Sequence, residues 1–80
     1  MKALVLLSRE NCHLCDRMRA ALAPLIADRA TLEIVDIDGD PELVERYGLR
    51  IPVLVAGGRE LSGFPLDTAV LERYLARGDG

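Results

Sequence analysis

The sequence predicts an α/β domain in which a four-stranded mixed sheet carries helices on its faces. Three observations predict it: an apolar run at residues 3–7 leads into the only two cysteines, an amphipathic run follows at 14–26, and Gly57-Gly58 separates two later strand-like runs. Strand-like and helix-like runs follow one another in the order β-α-β-α-β-β-α, which is typical of an α/β domain. We expect residues 1–80 to form a single domain, because a chain of this length is short for two.

The first strand and the first helix flank the two cysteines. The run from Lys2 to Leu7 is almost entirely apolar and does not alternate, as in a strand that is buried on both faces of a sheet. From Leu14 to Ile26, apolar side chains recur at the spacing of one helix face. Pro24 is expected to kink or shorten this helix, because it removes one backbone hydrogen bond.

The rest of the chain is predicted to contain three strands and two helices, namely strands at 31–37, 53–56 and 59–62 and helices at 41–47 and 66–76. Asp40 as N-cap and Pro41 as first helical residue favour the start of the short helix, and Gly48 suits the position after its end. The first two strands should be parallel through a right-handed crossover. The Gly57-Gly58 hairpin should make the last two strands antiparallel.

The stretch Cys12-His13-Leu14-Cys15 carries the predicted chemistry. Cys12 should lie at or just before the first turn of the helix, where unpaired backbone N–H groups and the helix dipole stabilise a thiolate and lower the pKa of the thiol. Arg9 could add positive charge. Cys15 lies about one turn further on, close enough to form a disulfide. We therefore interpret Cys12 as the nucleophile and Cys15 as the resolving thiol of a thiol–disulfide oxidoreductase. His13 is expected to face solvent and to modulate the redox poise of the pair.

Two other interpretations of the cysteines stay open. They could be inert small hydrophobic residues, or they could be half of a zinc site. Zinc prefers about four ligands, and the chain offers two cysteines and one histidine, so a site would need a carboxylate or a second chain. The alternative function is therefore a non-enzymatic dithiol module that binds a metal ion or a partner protein. We predict no metal site, because the position of the pair between strand and helix favours redox chemistry.

Charge and hydropathy exclude two classes of partner. The net charge of −3 argues against nucleic acid, since phosphate binding needs a basic face. No apolar run approaches the roughly 18 residues of a membrane span, so no membrane association is expected. Without an export signal the chain is expected in the cytoplasm, where a disulfide is catalytic more often than structural. We expect a monomer.

Two segments resemble known redox proteins. The segment from Ser8 to Cys15 looks like the active-site segment of glutaredoxins, with Arg9 where that family has a basic residue. The segment from Val35 to Pro52 is similar to the matching part of thioredoxins. With the order of elements, these motifs resemble the thioredoxin fold in its short, glutaredoxin-like form over nearly the whole chain, as in small bacterial proteins of that type. The resemblance implies a cis Pro52 that faces the dithiol, and a backbone at Ile51 that pairs with an extended peptide or with glutathione.

The sequence departs from the glutaredoxin pattern at the positions that would hold glutathione. Gly63 matches the family, but Phe64 replaces its second glycine, and the aspartate that would hold the glutathione amine is displaced to Asp67. We therefore expect no bound cofactor, and glutathione only as a weakly bound electron donor, in the millimolar range at best. The expected partners are protein disulfide substrates or a reductase, and the residues expected to form the substrate groove are Arg9, His13, Leu14, Ile51, Pro52, Gly63 and Phe64.

Overall fold

The computed structural model describes residues 2–77 and contains the predicted arrangement of strands and helices. The four strands are β1 (Lys2–Ser8), β2 (Ala30–Asp36), β3 (Val53–Ala56) and β4 (Arg59–Ser62). The three α-helices are α1 (His13–Ile26), α2 (Pro41–Tyr47) and α3 (Thr68–Ala76), and a 3-10 turn at Ile37–Gly39 follows β2. None of the helices within residues 2–77 is long and apolar enough to cross a membrane.

The strands form one mixed sheet in the order β2-β1-β3-β4. β1 is parallel to β2 and antiparallel to β3, and β3 is antiparallel to β4. Gly57 and Gly58 connect β3 to β4 with φ angles of 56° and 79°, a left-handed conformation that glycine adopts without steric cost. The predicted parallel first pair and antiparallel last pair are confirmed. β1 therefore has a neighbour on each side, and the cysteine segment leaves its carboxyl end.

Side chains from the two faces of the sheet form two hydrophobic clusters. Leu4 and Leu6 of β1 point to the face that α1 and α3 cover, and Leu7 points to the face that α2 covers, as the alternation of a strand requires. The buried residues of the larger cluster are Leu4, Leu6, Met18, Leu22, Ile26, Ala30, Leu54, Ala56 and Leu71. Those of the smaller cluster are Leu7, Ile37, Tyr47 and Val53. Burial of each large aliphatic side chain contributes about 1.5–3 kcal/mol.

Pro24 does not end α1, which continues to Ile26. Pro24 lies on the exposed side of the helix, whereas Leu22 and Ile26 are buried in the larger cluster on either side of it. Because only one backbone hydrogen bond is lost at a proline, packing of the apolar face preserves the last turn.

The ends of two other helices differ from the prediction. α3 begins at Thr68, two residues later than expected, because Asp67 is its N-cap and its carboxylate accepts a hydrogen bond from the Val70 N–H at 3.1 Å. Gly48 after α2 has a right-handed conformation, with φ −53°. It is a close-approach position: a Cβ at residue 48 would lie 2.6 Å from the carbonyl oxygen of Val44.

Candidate active site

Cys12 is the N-cap residue of α1, with an extended backbone conformation (φ −104°, ψ 104°). Its Sγ accepts a hydrogen bond from the backbone N–H of Cys15 at 3.1 Å, and its carbonyl oxygen accepts one from Asp16 at 3.1 Å. Cys12 and Cys15 form a disulfide bond, with their Cα atoms 5.2 Å apart. The sulfur of Cys12 thus lies at the positive end of the helix, where a thiolate is stabilised.

The two sulfur-bearing residues differ in their access to solvent. Cys15 is buried, with 1% of its surface exposed, whereas Cys12 is half-buried. His13 and Leu14 between them are exposed, and Leu14 retains 43% of its surface. A large substrate could therefore reach Cys12 and not Cys15. The roles expected of His13 and Leu14 in substrate binding stay predictions.

The loop before the dithiol contains a left-handed residue. Asn11 has a φ of 58° and is the single non-glycine residue in the left-handed region among residues 2–77. Asparagine is one of the residues that tolerate this conformation best. The left-handed residue lies directly before Cys12, at the change of direction from the central strand into the start of α1.

Arg9 is bonded to Asp38, which lies in the 3-10 turn after β2. The Nε of Arg9 donates to both carboxylate oxygens at 3.0 Å, and its Nη2 lies 2.8 Å from Oδ1. Arg9 was expected to add positive charge near Cys12, and this ion pair compensates that charge. Asp38 was missed because no local pattern connects two residues that are 29 positions apart.

The segment before β3 has an internal hydrogen bond at the position expected to bind a substrate backbone. The Ile51–Pro52 peptide bond is cis. The N–H of Ile51 donates to the carbonyl oxygen of Tyr47 at 3.1 Å, and the side chain of Ile51 packs against the smaller cluster. Pro52 is fully buried. The carbonyl of Ile51 is therefore the group that could pair with an extended ligand while this bond remains intact.

Phe64 lies beside the dithiol helix. The guanidinium carbon of Arg17, in α1, is 5.4 Å from the centre of the Phe64 ring, and the ring also packs against the larger cluster. The Phe64–Pro65 peptide bond is cis as well, which was not anticipated. Gly63 is exposed, and a Cβ built there would meet no atom within 4 Å. Phe64 is thus connected to α1, whereas packing does not require a glycine at residue 63.

Three other charged residues that could contact glutathione either bond to other groups or lie away from the dithiol. Arg50 forms a salt bridge with Glu60, which raises the pKa of the arginine and lowers the pKa of the glutamate. The carboxylate of Asp67 caps α3. Arg59 is at the start of β4, opposite Ala56 and therefore toward the far end of the sheet from the dithiol. None of these three residues presents an uncompensated charge at Cys12.

Leu49 is a surface feature that the sequence analysis missed. It lies in the turn between α2 and the Ile51–Pro52 segment, and its side chain is fully exposed. With Leu14 and Ile34 it makes up the large hydrophobic residues that are exposed within the described part of the chain. A leucine in a turn outside every predicted element is a signal that could have identified it, because such a residue has no core position to fill.

The described residues do not assemble a metal site. Among residues 2–77, no group of three or more histidine, cysteine, aspartate or glutamate side chains could hold a metal ion.

Known proteins resemble this chain over most of its length. The family model described as "Glutaredoxin-like domain (DUF836)" matches residues 3–76. An uncharacterized protein of Mycobacterium tuberculosis is 33% identical over 78 residues, which cover 90% of this chain and 80% of that protein.

Solved structures give the same picture. A solution NMR structure of a protein from Nitrosomonas europaea is 40% identical, with a TM-score of 0.85, and the match covers 94% of this chain and 92% of that one. An X-ray structure of a protein from X. campestris is 42% identical, with a TM-score of 0.74 and coverage of 90% and 93%. A mutant thioredoxin from Halobacterium salinarum is 23% identical, with a TM-score of 0.58 and coverage of 91% and 70%. This last likeness shows the fold, which is thioredoxin-like.

Proposed function

The chain belongs to the glutaredoxin-like domain family (DUF836), and from that premise we propose that it is a thiol–disulfide oxidoreductase whose reactive group is the Cys12–Cys15 dithiol. One observation carries the proposal. The accessible sulfur is the one at the helix N-terminus, and the buried sulfur is within disulfide-bonding distance of it. Thiol–disulfide exchange needs this difference in access, because one thiol must react with the substrate and the other must react only with the mixed disulfide.

The reaction proceeds in two exchange steps. The Cys12 thiolate attacks one sulfur of a substrate disulfide, the substrate S–S bond breaks, and the departing thiolate takes a proton from water. Cys15 then loses its proton and attacks the Sγ of Cys12, which releases the second substrate thiol and forms the Cys12–Cys15 disulfide. The substrate has gained two electrons and two protons. A thiol or dithiol reductant returns the same number to the protein.

The proposed substrate is an extended protein segment that carries a disulfide. Leu14 is exposed in the first turn of the dithiol helix, and Phe64 lies beside that helix. The fully exposed Leu49 lies on the segment that leads to Ile51. Burial of one such side chain against a ligand contributes about 1.5–3 kcal/mol. A peptide could use these apolar contacts and the carbonyl of Ile51, whereas a small charged thiol would gain little from them.

Glutathione is proposed as a weak electron donor only. Its carboxylates need a cation, and Arg9 near the dithiol is bonded to Asp38.

We expect Asp38→Asn to release Arg9, and therefore to speed the reaction with glutathione disulfide several-fold more than the reaction with a neutral small disulfide. Stopped-flow rates with both disulfides measure the ratio. Asp36→Asn is the matched control, because it removes a carboxylate of the same segment that bonds only to the backbone N–H of Asp38. An unchanged ratio in Asp38→Asn would show that Arg9 does not govern this preference.

Turnover of a protein disulfide tests the function. The purified chain is assayed for insulin reduction, once with glutathione and glutathione reductase and once with a thioredoxin reductase as electron source. We expect Cys12→Ser to abolish reduction and Cys15→Ser to accumulate a mixed disulfide that mass spectrometry detects on Cys12. Absence of turnover with both electron sources, together with stoichiometric zinc in protein purified under reducing conditions, would instead support the metal-binding dithiol module.

A further inference from the structure

A concave surface lies at the other end of the sheet from the dithiol. It is a cavity of ≈ 1070 Å³ between the start of β1, the β3–β4 hairpin and the second half of α3. Lys2 at its edge begins β1, and the cysteine segment follows the other end of that strand. A seven-residue strand is about 20 Å long, so the cavity is separate from the candidate active site.

The cavity is basic, although the protein is acidic. Four cationic side chains line it, those of Lys2, Arg59, Arg73 and Arg77, and none of its described lining residues is acidic. The chain has ten lysine and arginine residues and a net charge of −3. The four cations therefore form a positively charged region on a protein whose remaining charge is negative. Its remaining lining is largely apolar, from Leu61, Val70 and Tyr74 among others.

The carboxylates that directly adjoin Arg59 and Arg73 in the sequence bind other arginines. Glu60 follows Arg59, but its carboxylate pairs with Arg50. Glu72 precedes Arg73, but its carboxylate pairs with Arg29 at 2.9 Å. Within residues 2–77, Arg59, Arg73 and Arg77 form no ion pair. Glu60 and Glu72 therefore do not compensate the charges of the arginines next to them in the chain.

Tyr74 gives one wall of the cavity a fixed position. Its hydroxyl donates to the carbonyl oxygen of Ala3 at 3.3 Å, and the Nζ of Lys2 lies 5.0 Å from the centre of its ring. The ring therefore joins α3 to the first strand. This contact gives the cavity a preformed aromatic and cationic side rather than a set of separate mobile charges.

We propose that this basic cavity binds a small organic phosphate. Arginine side chains form paired hydrogen bonds with phosphate oxygens, and the apolar lining would contact the organic part of the ligand. The volume is that of a small-molecule site. A nucleic acid would extend beyond the four cations onto an acidic surface, and its phosphates would be repelled there. A small phosphate in the cavity would lie within about one Debye length of the cations and would not extend onto the acidic surface.

An NMR titration of the ¹⁵N-labelled, oxidised full chain tests the proposal, with phenyl phosphate, inorganic phosphate and benzyl alcohol as probes. We expect saturable shifts from phenyl phosphate, confined to residues 2–3, 56–61 and 70–77, weaker binding of inorganic phosphate, and no binding of benzyl alcohol. Arg73→Gln should weaken phenyl phosphate binding about tenfold, the effect of losing one charge-assisted hydrogen bond. Arg46→Gln, an equal charge change on α2, should leave affinity within about twofold. Arg59→Gln serves the same purpose if Arg73→Gln fails to fold.

Several results would overturn the proposal. Shifts without saturation, or equal weakening in Arg46→Gln, would show general counterion attraction. Binding of benzyl alcohol as strong as that of phenyl phosphate would show a purely apolar cavity. Displacement of phenyl phosphate by a short oligonucleotide at a lower concentration would assign the surface to a macromolecule. None of these results depends on disulfide reduction, which should be unchanged in Arg73→Gln because the dithiol is at the other end of the sheet.

Discussion

The ionisation of Cys12 can be isolated by removing its partner. In Cys15→Ser the backbone N–H at residue 15 remains and can still donate to the Sγ of Cys12, which it does at 3.1 Å in the oxidised protein. Cys12 is then the single thiol of the chain. We expect its pKa to lie below that of the same thiol in the unfolded chain, because the hydrogen bond and the helix N-terminus both stabilise the thiolate.

The size of the effect follows from that hydrogen bond. A hydrogen bond to a charged group contributes about 1.5–3 kcal/mol, and the lower end applies because Cys12 is half-buried. About 1.5 kcal/mol corresponds to roughly a tenfold rise in the ionisation constant. Nucleophilicity falls as a thiol becomes more acidic, with a Brønsted coefficient of about 0.4–0.5, so alkylation at neutral pH should quicken by only about threefold.

Two measurements check these values. Ultraviolet absorbance of the thiolate as a function of pH gives the ionisation constant, and iodoacetamide alkylation gives the rate, each in the folded and the denatured Cys15→Ser protein. Cys12→Ser is the matched control: Cys15 is then the single thiol, and because it is buried it should react more slowly than in the denatured chain. Equal ionisation of Cys12 in the folded and denatured protein would refute the reasoning. Faster alkylation of Cys15 than of Cys12 would refute the assignment of roles.

Two further predictions concern stability. Gly48→Ala should destabilise the fold by about 1–3 kcal/mol in urea denaturation, because the new Cβ would lie 2.6 Å from the Val44 carbonyl oxygen. Gly39→Ala is the control and should be neutral or slightly stabilising, because the space around residue 39 is open. Equal denaturation midpoints for the two variants would contradict this prediction. Arg29 lowers the pKa of Glu72 below its ordinary 4.5, so the pair stabilises the fold above that pH and the contribution is lost as the pH falls through the lowered value. The stability difference between wild type and Glu72→Gln should therefore shrink in acid and in high salt, and a constant difference from neutral pH to acid would count against the pairing.

Local signals were enough to predict much of the fold. The bounds of α2, β3 and β4 agree with the prediction, because Asp40-Pro41 begins the helix and the glycine pair sets the hairpin. The position of Cys12 at the start of α1 also follows from adjacent residues. The pairing of Arg9 with Asp38 could not be predicted, because the parallel crossover alone brings β1 and the turn after β2 together.

The other differences at the site arise because groups within the protein form the hydrogen bonds that were expected to go to a ligand. Asp67 was considered for a ligand amine, but its carboxylate accepts a hydrogen bond from the N–H of Val70 and so caps α3. The backbone of Ile51 was expected to pair with a ligand, but its N–H donates to the carbonyl oxygen of Tyr47 at the end of α2. In both cases, backbone groups at a helix end take the hydrogen bond that a ligand would otherwise use.

The unequal size of the two clusters implies unequal local stability. Within residues 2–77 the smaller cluster, under α2, has four buried members, and the larger cluster, under α1 and α3, has nine. Partial opening of α2 should therefore cost less free energy than global unfolding. Such opening would break the bond from Ile51 to Tyr47 and expose the Ile51 backbone, while Met18 and Leu22 keep α1 in place. In native-state hydrogen exchange, the backbone amides of α2 should exchange through this partial opening. The amides of β1 should exchange only through complete unfolding. The segment beside the dithiol can thus loosen to admit a strand-like ligand, while the helix that holds the reactive sulfur stays folded.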